Sequence, residues 1–233
     1  MAVKSGAAQA AAVVFRTRDL LVRQRTQAIN ALRGHLAEFG VVAAKGPAHV
    51  DRLIAALDDP ASELPEAARA VLRVLVEELS VLDRRVSELD HEIARRARED
   101  ADARRLMTIP GIGAVTAVAL LSLAPPAGSF RRGRDFAAWL GLTPLQQSSG
   151  GKERLGRTSK MGERTLRRLL IIGASAVASW ASRNGPPAGS WLAQLMARKP
   201  PMLVRVALAN KMARMVWALL AKGGVYRAPA VAA

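Results

Sequence analysis

The sequence predicts an all-α protein: a long helical, coiled-coil arm followed by a compact helical domain with a helix-hairpin-helix-like motif. Three observations point there. Half of the residues are hydrophobic but only 4% are aromatic, with Ala, Leu and Val supplying most of the apolar content; that supply suits packed helices better than a β-sandwich. Leu72, Leu75, Leu79, Leu82, Val86, Leu89 and Ile93 recur at alternating intervals of three and four, the seam of about three heptads. Beyond residue 100, glycine and proline cut the chain into short apolar stretches with no convincing strand pattern.

Taken in order, residues 8–40 read as one long helix. Leu21, Ala28, Leu32, Leu36 and Phe39 make its apolar stripe, Arg16, Arg18, Arg23, Arg25 and Arg33 its other face, and Gly40 its stop. "KGPAHV" breaks the pattern, and a short helix follows over 49–57. "DDPASELPEAARAV" is a turn leading into a new helix, with Pro65 suited to the first turn. Mixed charges, among them Glu77, Asp83, Arg84, Asp90 and Arg95, lie between the heptad positions. The seam therefore folds back on the first helix as a hairpin, or pairs with a second copy to give a homo-oligomer through the arm. Composition shifts near residue 100, dividing a coiled-coil arm (1–100) from a basic C-terminal domain (101–233). Helices are expected near 114–123, 133–140, 162–182, 188–197 and 201–222. In the last, Leu203, Ala207, Met212, Met215, Val216, Leu219 and Leu220 form a core stripe, with Arg205, Lys211 and Arg214 on the polar face.

Charge separates the two parts more sharply than hydropathy does. Residues 1–100 hold 15 basic and 15 acidic side chains, so the whole net charge of +16 lies beyond them, where 20 basic residues face only Asp102, Asp135, Glu153 and Glu163. Such a field attracts a polyanion, and nucleic acid fits better than an anionic membrane because no strongly amphipathic anchor stands out. The apolar runs are too short or too polar to span a bilayer, and no secretory leader is expected. With no cysteine and only His35, His49 and His91, all in the neutral part, thiolate chemistry is excluded, and a Ser-His-Asp triad or a metal cluster within the basic part is implausible.

Two motifs carry the chemistry. "LMTIPGIGAVTAVALL" fits a helix-hairpin-helix, with Pro110, Gly111, Ile112 and Gly113 as the turn. Free N–H groups at the start of the following helix could hold a DNA phosphate; a plain interhelical turn is the alternative. "SSGGKERLGRTSKMGERTLRRLL" follows, with seven basic and two acidic residues between Lys152 and Arg168. It fails as a Walker loop, because Gln146 stands at the first glycine and Glu153 follows the lysine. Ser148, Ser149, Gly150 and Gly151 then read either as a phosphate-contacting linker, the simpler reading, or as the seat of a serine that attacks a phosphodiester. In the second case Lys152, Arg154, Arg157, Lys160, Arg164 and Arg167 would neutralise the phosphoryl oxygens.

"TIPGIGAVTAVALL", "FAAWLGLTPLQQSSGGKERLGRTSKMGERTLRRLLI" and the upstream "RTRDLLVRQRTQAINALRGHLAEFG" together resemble the IS one-ten family of insertion-sequence transposases, the bridge-RNA-guided recombinases. The likeness covers about residues 10–225. It implies DNA transposition and recombination through a serine nucleophile, matching Ser149 first and Ser148 second. The implied partners are DNA, a guide RNA and other copies of the protein, with no membrane, in the bacterial cytoplasm at the nucleoid. The family's N-terminal RuvC-like domain, whose four acidic residues bind divalent metal (Mg), has no counterpart here. The resemblance thus implies a truncated copy, a misplaced start or an excised fragment, with no cofactor bound by this chain itself. A non-catalytic remnant that binds nucleic acid and interferes with full-length transposase is the competing expectation.

Overall fold

The computed structural model describes residues 6–152 and 154–228, with Ala7 and Pro47 described by backbone alone and Glu153 outside the described residues. Among these residues the helices are α1 (Gly6–Glu38), α2 (Val50–Asp58), α3 (Glu66–Glu99), α4 (Ala101–Met107), α5 (Ala114–Leu123), α6 (Gly133–Trp139), α7 (Arg164–Asn184), α8 (Trp191–Arg198) and α9 (Pro201–Lys222). One antiparallel pair of strands, β1 (Pro144–Gln146) and β2 (Leu155–Thr158), interrupts them. The protein is mostly all-α, as its composition predicts. Two compact units result: Val13–Glu92, and Ile93–Ala233 with Met1–Ala12.

In the first unit the heptad seam is filled within the chain. Leu72 and Leu79 of α3 join Ile29, Leu32 and Leu36 of α1 and Leu53 and Leu57 of α2 in one buried cluster. The ion pairs give the register: Arg18 meets Asp90 and Arg25 meets Asp83. Seven residues forward along α1 are thus seven residues back along α3, the signature of an antiparallel hairpin at two turns per step. Phe39, expected on the apolar stripe, is 43% exposed beyond the end of α1, and Phe15, at 2%, carries the stripe in the other direction. The Asp83 carboxylate is 59% exposed although the Arg25 side chain is only 29% exposed, so a double-mutant cycle on this water-screened pair should return a coupling of about 1 kcal/mol or less. The leucines hold the hairpin; the charges set its register.

Arg69 is the buried exception, 8% exposed. Its guanidinium donates to the carbonyls of Leu57, Asp59 and Ser62 and to the Ser62 hydroxyl, tying the α2–α3 turn to α3. Arg69→Ala leaves these acceptors without a donor. It should lower unfolding free energy by about 1–3 kcal/mol in chemical denaturation.

The second unit is built round α5, on which Thr116, Ala117, Val118, Ala119, Leu120 and Ser122 are all buried. A helix apolar on every side must be central. The turn before it holds Ile109 and Ile112 in the core, and its Gly111 lies against Gly173 of α7. A Cβ on Gly111 would fall 2.7 Å from the Gly173 carbonyl oxygen. Glu163 and Ser190 cap α7 and α8, their side chains accepting from Leu166 N–H and Ala193 N–H. Helix α9 buries Val204, Leu208, Met212, Ala213 and Val216. Leu203, expected in that stripe, is instead 48% exposed, because it lies on the rim of a groove described below.

The strands are the element that the sequence reading lacks. Their burial runs exposed–exposed–exposed in β1 and exposed–intermediate–exposed–intermediate in β2. No residue of either strand reaches the core, so there is no apolar alternation to read.

Candidate serine loop and nucleic-acid interface

The two strands present "QQSSGGK" as a hairpin tip. Pro144 pairs with Thr158 and Gln146 with Leu155, with a bulge between. The ladder continues through Gln147 N–H to Arg154 O at 2.9 Å and Lys152 N–H to Ser149 O at 3.1 Å. Gly150 and Gly151 have φ of 58° and 78°. Positive φ at both central residues is the type I′ turn, whose twist matches that of a two-stranded ribbon. Neither glycine has anything within 4 Å of where a Cβ would be. The turn demands them, and it leaves the tip open.

The two serines differ. The Ser148 hydroxyl accepts Arg154 N–H at 3.1 Å and donates to Gln146 Oε1 at 3.4 Å, so both of its roles are used inside the hairpin. Ser149 is exposed, lies opposite Lys152 across the ribbon, and its hydroxyl has no hydrogen-bond partner among the described residues. Directly opposed residues have Cβ atoms about 5 Å apart, which brings the ammonium stem beside the hydroxyl.

The base of the hairpin is clamped. Ser159 N–H donates to Thr143 O at 2.8 Å and Lys160 N–H to Gly141 O at 3.2 Å. Lys160, at φ 53°, is the single described non-glycine residue with positive φ, a conformation costing roughly 1–2 kcal/mol for an L-residue. Arg167, expected at phosphate, points Nη1 at Leu140 O, 3.0 Å away, and so helps hold the base. Lys152, Arg154, Arg157, Lys160 and Arg164 are exposed and have no side-chain partner among the described residues. This contrasts with the paired arginines of the first unit.

The Pro110–Gly113 turn presents Pro110 and Gly113 to solvent, half-buries Gly111 and buries the Ile112 side chain. Only the backbone of Ile112 is therefore available to a ligand. Gly113 precedes α5 as its N-cap and supplies no side-chain cap, leaving first-turn N–H groups without one. The turn touches α7 at Gly173, while the hairpin runs into the same helix at Arg164. Nine residues separate these points, about 14 Å of helix. One helix thus positions both motifs.

Among the described residues no three His, Asp or Glu side chains gather to hold a metal ion, and no helix is long and apolar enough to cross a membrane.

Fold and site together define a basic helical module that carries an exposed serine on a clamped hairpin. Residues 103–186, which include both motifs, match the family model described as Transposase IS116/IS110/IS902 family. The chain is 43% identical over 228 residues to a "Probable family 20 transposase" of Pseudomonas aeruginosa, covering 97% of this chain and 67% of that protein. It is 41% identical over 230 residues to the "Putative transposase y4pF/y4sB" of Sinorhizobium fredii, covering 97% and 58%. To the "Transposase for insertion sequence element IS1328" of Yersinia enterocolitica it is 34% identical over 218 residues, covering 94% and 65%. The chain belongs to the IS110/IS116 transposase family, and it spans about two thirds or less of the length of these relatives.

Arg132 and Arg134 went unseen in the sequence reading. They line one groove with Arg157, Lys211 and Arg214, from three directions. The run "FRRGRD" was the available signal for the first pair.

Proposed function

We propose that this chain is the DNA-cleaving and DNA-joining part of a transposase, with Ser149 as nucleophile. The observation that carries the reading is the contrast between a Ser148 hydroxyl held within the hairpin and an exposed Ser149 hydroxyl with no partner among the described residues. Ser149 Oγ attacks a backbone phosphorus. A P–O bond of that strand breaks, its oxygen leaves with a proton as a DNA hydroxyl, and the serine proton passes to solvent. The phosphoserine ester keeps the phosphodiester energy, so attack by another strand's hydroxyl rejoins DNA and frees the serine. Lys152, Arg154, Arg157 and Arg164 offset phosphoryl charge in the transition state, while Pro110–Gly113 and the start of α5 hold the duplex by its backbone. The reading includes a guide RNA and further copies of the protein as partners, and a RuvC-like domain outside this chain.

A nicked suicide DNA substrate tests the reading, incubated with the chain supplied with a RuvC-like domain. A protein–DNA adduct that survives denaturation, mapped to Ser149 by mass spectrometry, is expected; DNA binding with no adduct would return the chain to a binding remnant. The electrostatic part has its own readout. If all five exposed cations near the hairpin meet phosphates, log affinity should fall against log salt with a slope of about −4 to −5. Neutralising any one of them should flatten it by about 0.9.

A further inference from the structure

The groove lies between β2, the start of α6, α8 and α9, with a volume of about 1220 Å³. That exceeds the roughly 300–1,000 Å³ of a small-molecule site. Its rim carries Arg132, Arg134, Arg157, Lys211 and Arg214, and no acidic residue lines it among the described residues; Asp135 pairs with Arg132 at 3.8 Å from outside the lining. Leu142, Val206 and Met215 give it an apolar interior, and Met202 and Leu203, more than 45% exposed, an apolar edge. Trp191 stands at the edge, 39% exposed, with Lys211 Nζ 4.2 Å from the ring centroid. Burial first, and then the neighbouring Arg214, pull the Lys211 pKa below that of an ordinary lysine. Among the described residues the groove therefore has positive charge in excess, with Asp135 as the counter-charge to Arg132 alone.

Cations round an apolar, aromatic-edged floor do not suit a duplex, which offers phosphates but keeps its base faces stacked. They suit a strand whose bases are unstacked: phosphates on the rim, a base face on the indole. The place of the groove supports this. Its β2 wall begins at Leu155, three residues from Lys152, the cross-strand partner of Ser149.

We propose that this groove seats a short single-stranded stretch of DNA next to the scissile phosphate, with one unstacked base against Trp191. The proposal rests on the reading of this chain as DNA-binding and, for the position of the scissile phosphate, on Ser149 as the nucleophile.

Fluorescence anisotropy of the whole chain with labelled 12-nucleotide oligomers tests it, using single-stranded DNA, the matching duplex and RNA of the same sequence. Trp191→Ala should weaken single-stranded DNA binding roughly 10- to 100-fold, the range for losing one base–aromatic stack, and leave duplex binding little changed. Trp191→Phe should retain most of the affinity. Should Trp191→Ala fail to fold, Arg214→Ala decides: it should reduce the salt slope for single-stranded DNA by about 0.7. An unchanged slope, an equal loss on duplex, or a Trp191-dependent preference for RNA over DNA would each overturn the proposal. Duplex binding without preference for the single strand sinks the groove alone, whereas no binding to any DNA sinks the underlying reading as well.

Discussion

Ser149→Ala is expected to reduce covalent protein–DNA adduct by at least roughly 10⁴-fold, the scale on which removing a nucleophile acts, with DNA affinity nearly unchanged. Ser148→Ala should behave differently. Its hydroxyl serves the hairpin through Arg154 N–H and Gln146, and losing a hydrogen bond of that kind costs about 1 kcal/mol. That loosens the tip without removing the attacking atom, so the adduct should fall only about tenfold or less. Adduct yield on denaturing gels, measured over time with the suicide substrate, separates the two. The reverse order would make Ser148 the nucleophile and Ser149 the support. Equal, complete loss in both would point to a collapsed hairpin, which circular dichroism and duplex affinity would show independently.

The long helices were legible because periodicity is a local signal. The seam from Leu72 to Ile93 needs only its own residues to be read, and α3 spans Glu66–Glu99. Whether that seam met α1 or a second copy could not be read, since both partners would see the same leucines; the pairs of Arg18 with Asp90 and Arg25 with Asp83 give the answer within this chain. The serine segment was legible as a site but not as a hairpin. Its glycine pair is a turn signal, but turn signals are read as hairpins when strands flank them, and these strands show solvent on nearly every residue. Arg167 looked like its neighbours in sequence, yet its guanidinium reaches a carbonyl 27 residues earlier in the chain. The groove was least legible of all. Its cations and Trp191 come from separate elements, and no spacing rule links them.

Gly162→Ala is expected to be the most damaging single-methyl change at the base of the hairpin. Gly162 has φ 99°, and a Cβ there would overlap the Trp139 carbonyl oxygen. Gly141 faces it in the same way: φ 69°, with its Cβ position overlapping the Met161 carbonyl oxygen and 2.7 Å from Arg167 Nη1. These are backbone-to-backbone contacts, so no side-chain rotation relieves them. Left-handed backbone on an L-residue costs roughly 1–2 kcal/mol, and overpacking adds about 1–3 kcal/mol. Gly162→Ala should therefore lose roughly 2–5 kcal/mol in chemical denaturation. Gly150→Ala is the control, because φ there is 58° and nothing lies within 4 Å of its Cβ position; it should lose only the backbone part, roughly 1–2 kcal/mol. The functional readout should follow the same logic. Gly162→Ala keeps Ser149 and every cation but shifts the frame that aims them, and a displacement of about 1 Å costs on the order of 10²-fold in rate. Equal stability losses in the two variants would mean that the hairpin is held by its own ladder, and that the contact of Gly141 and Gly162 with the facing backbone is incidental to the placing of Ser149.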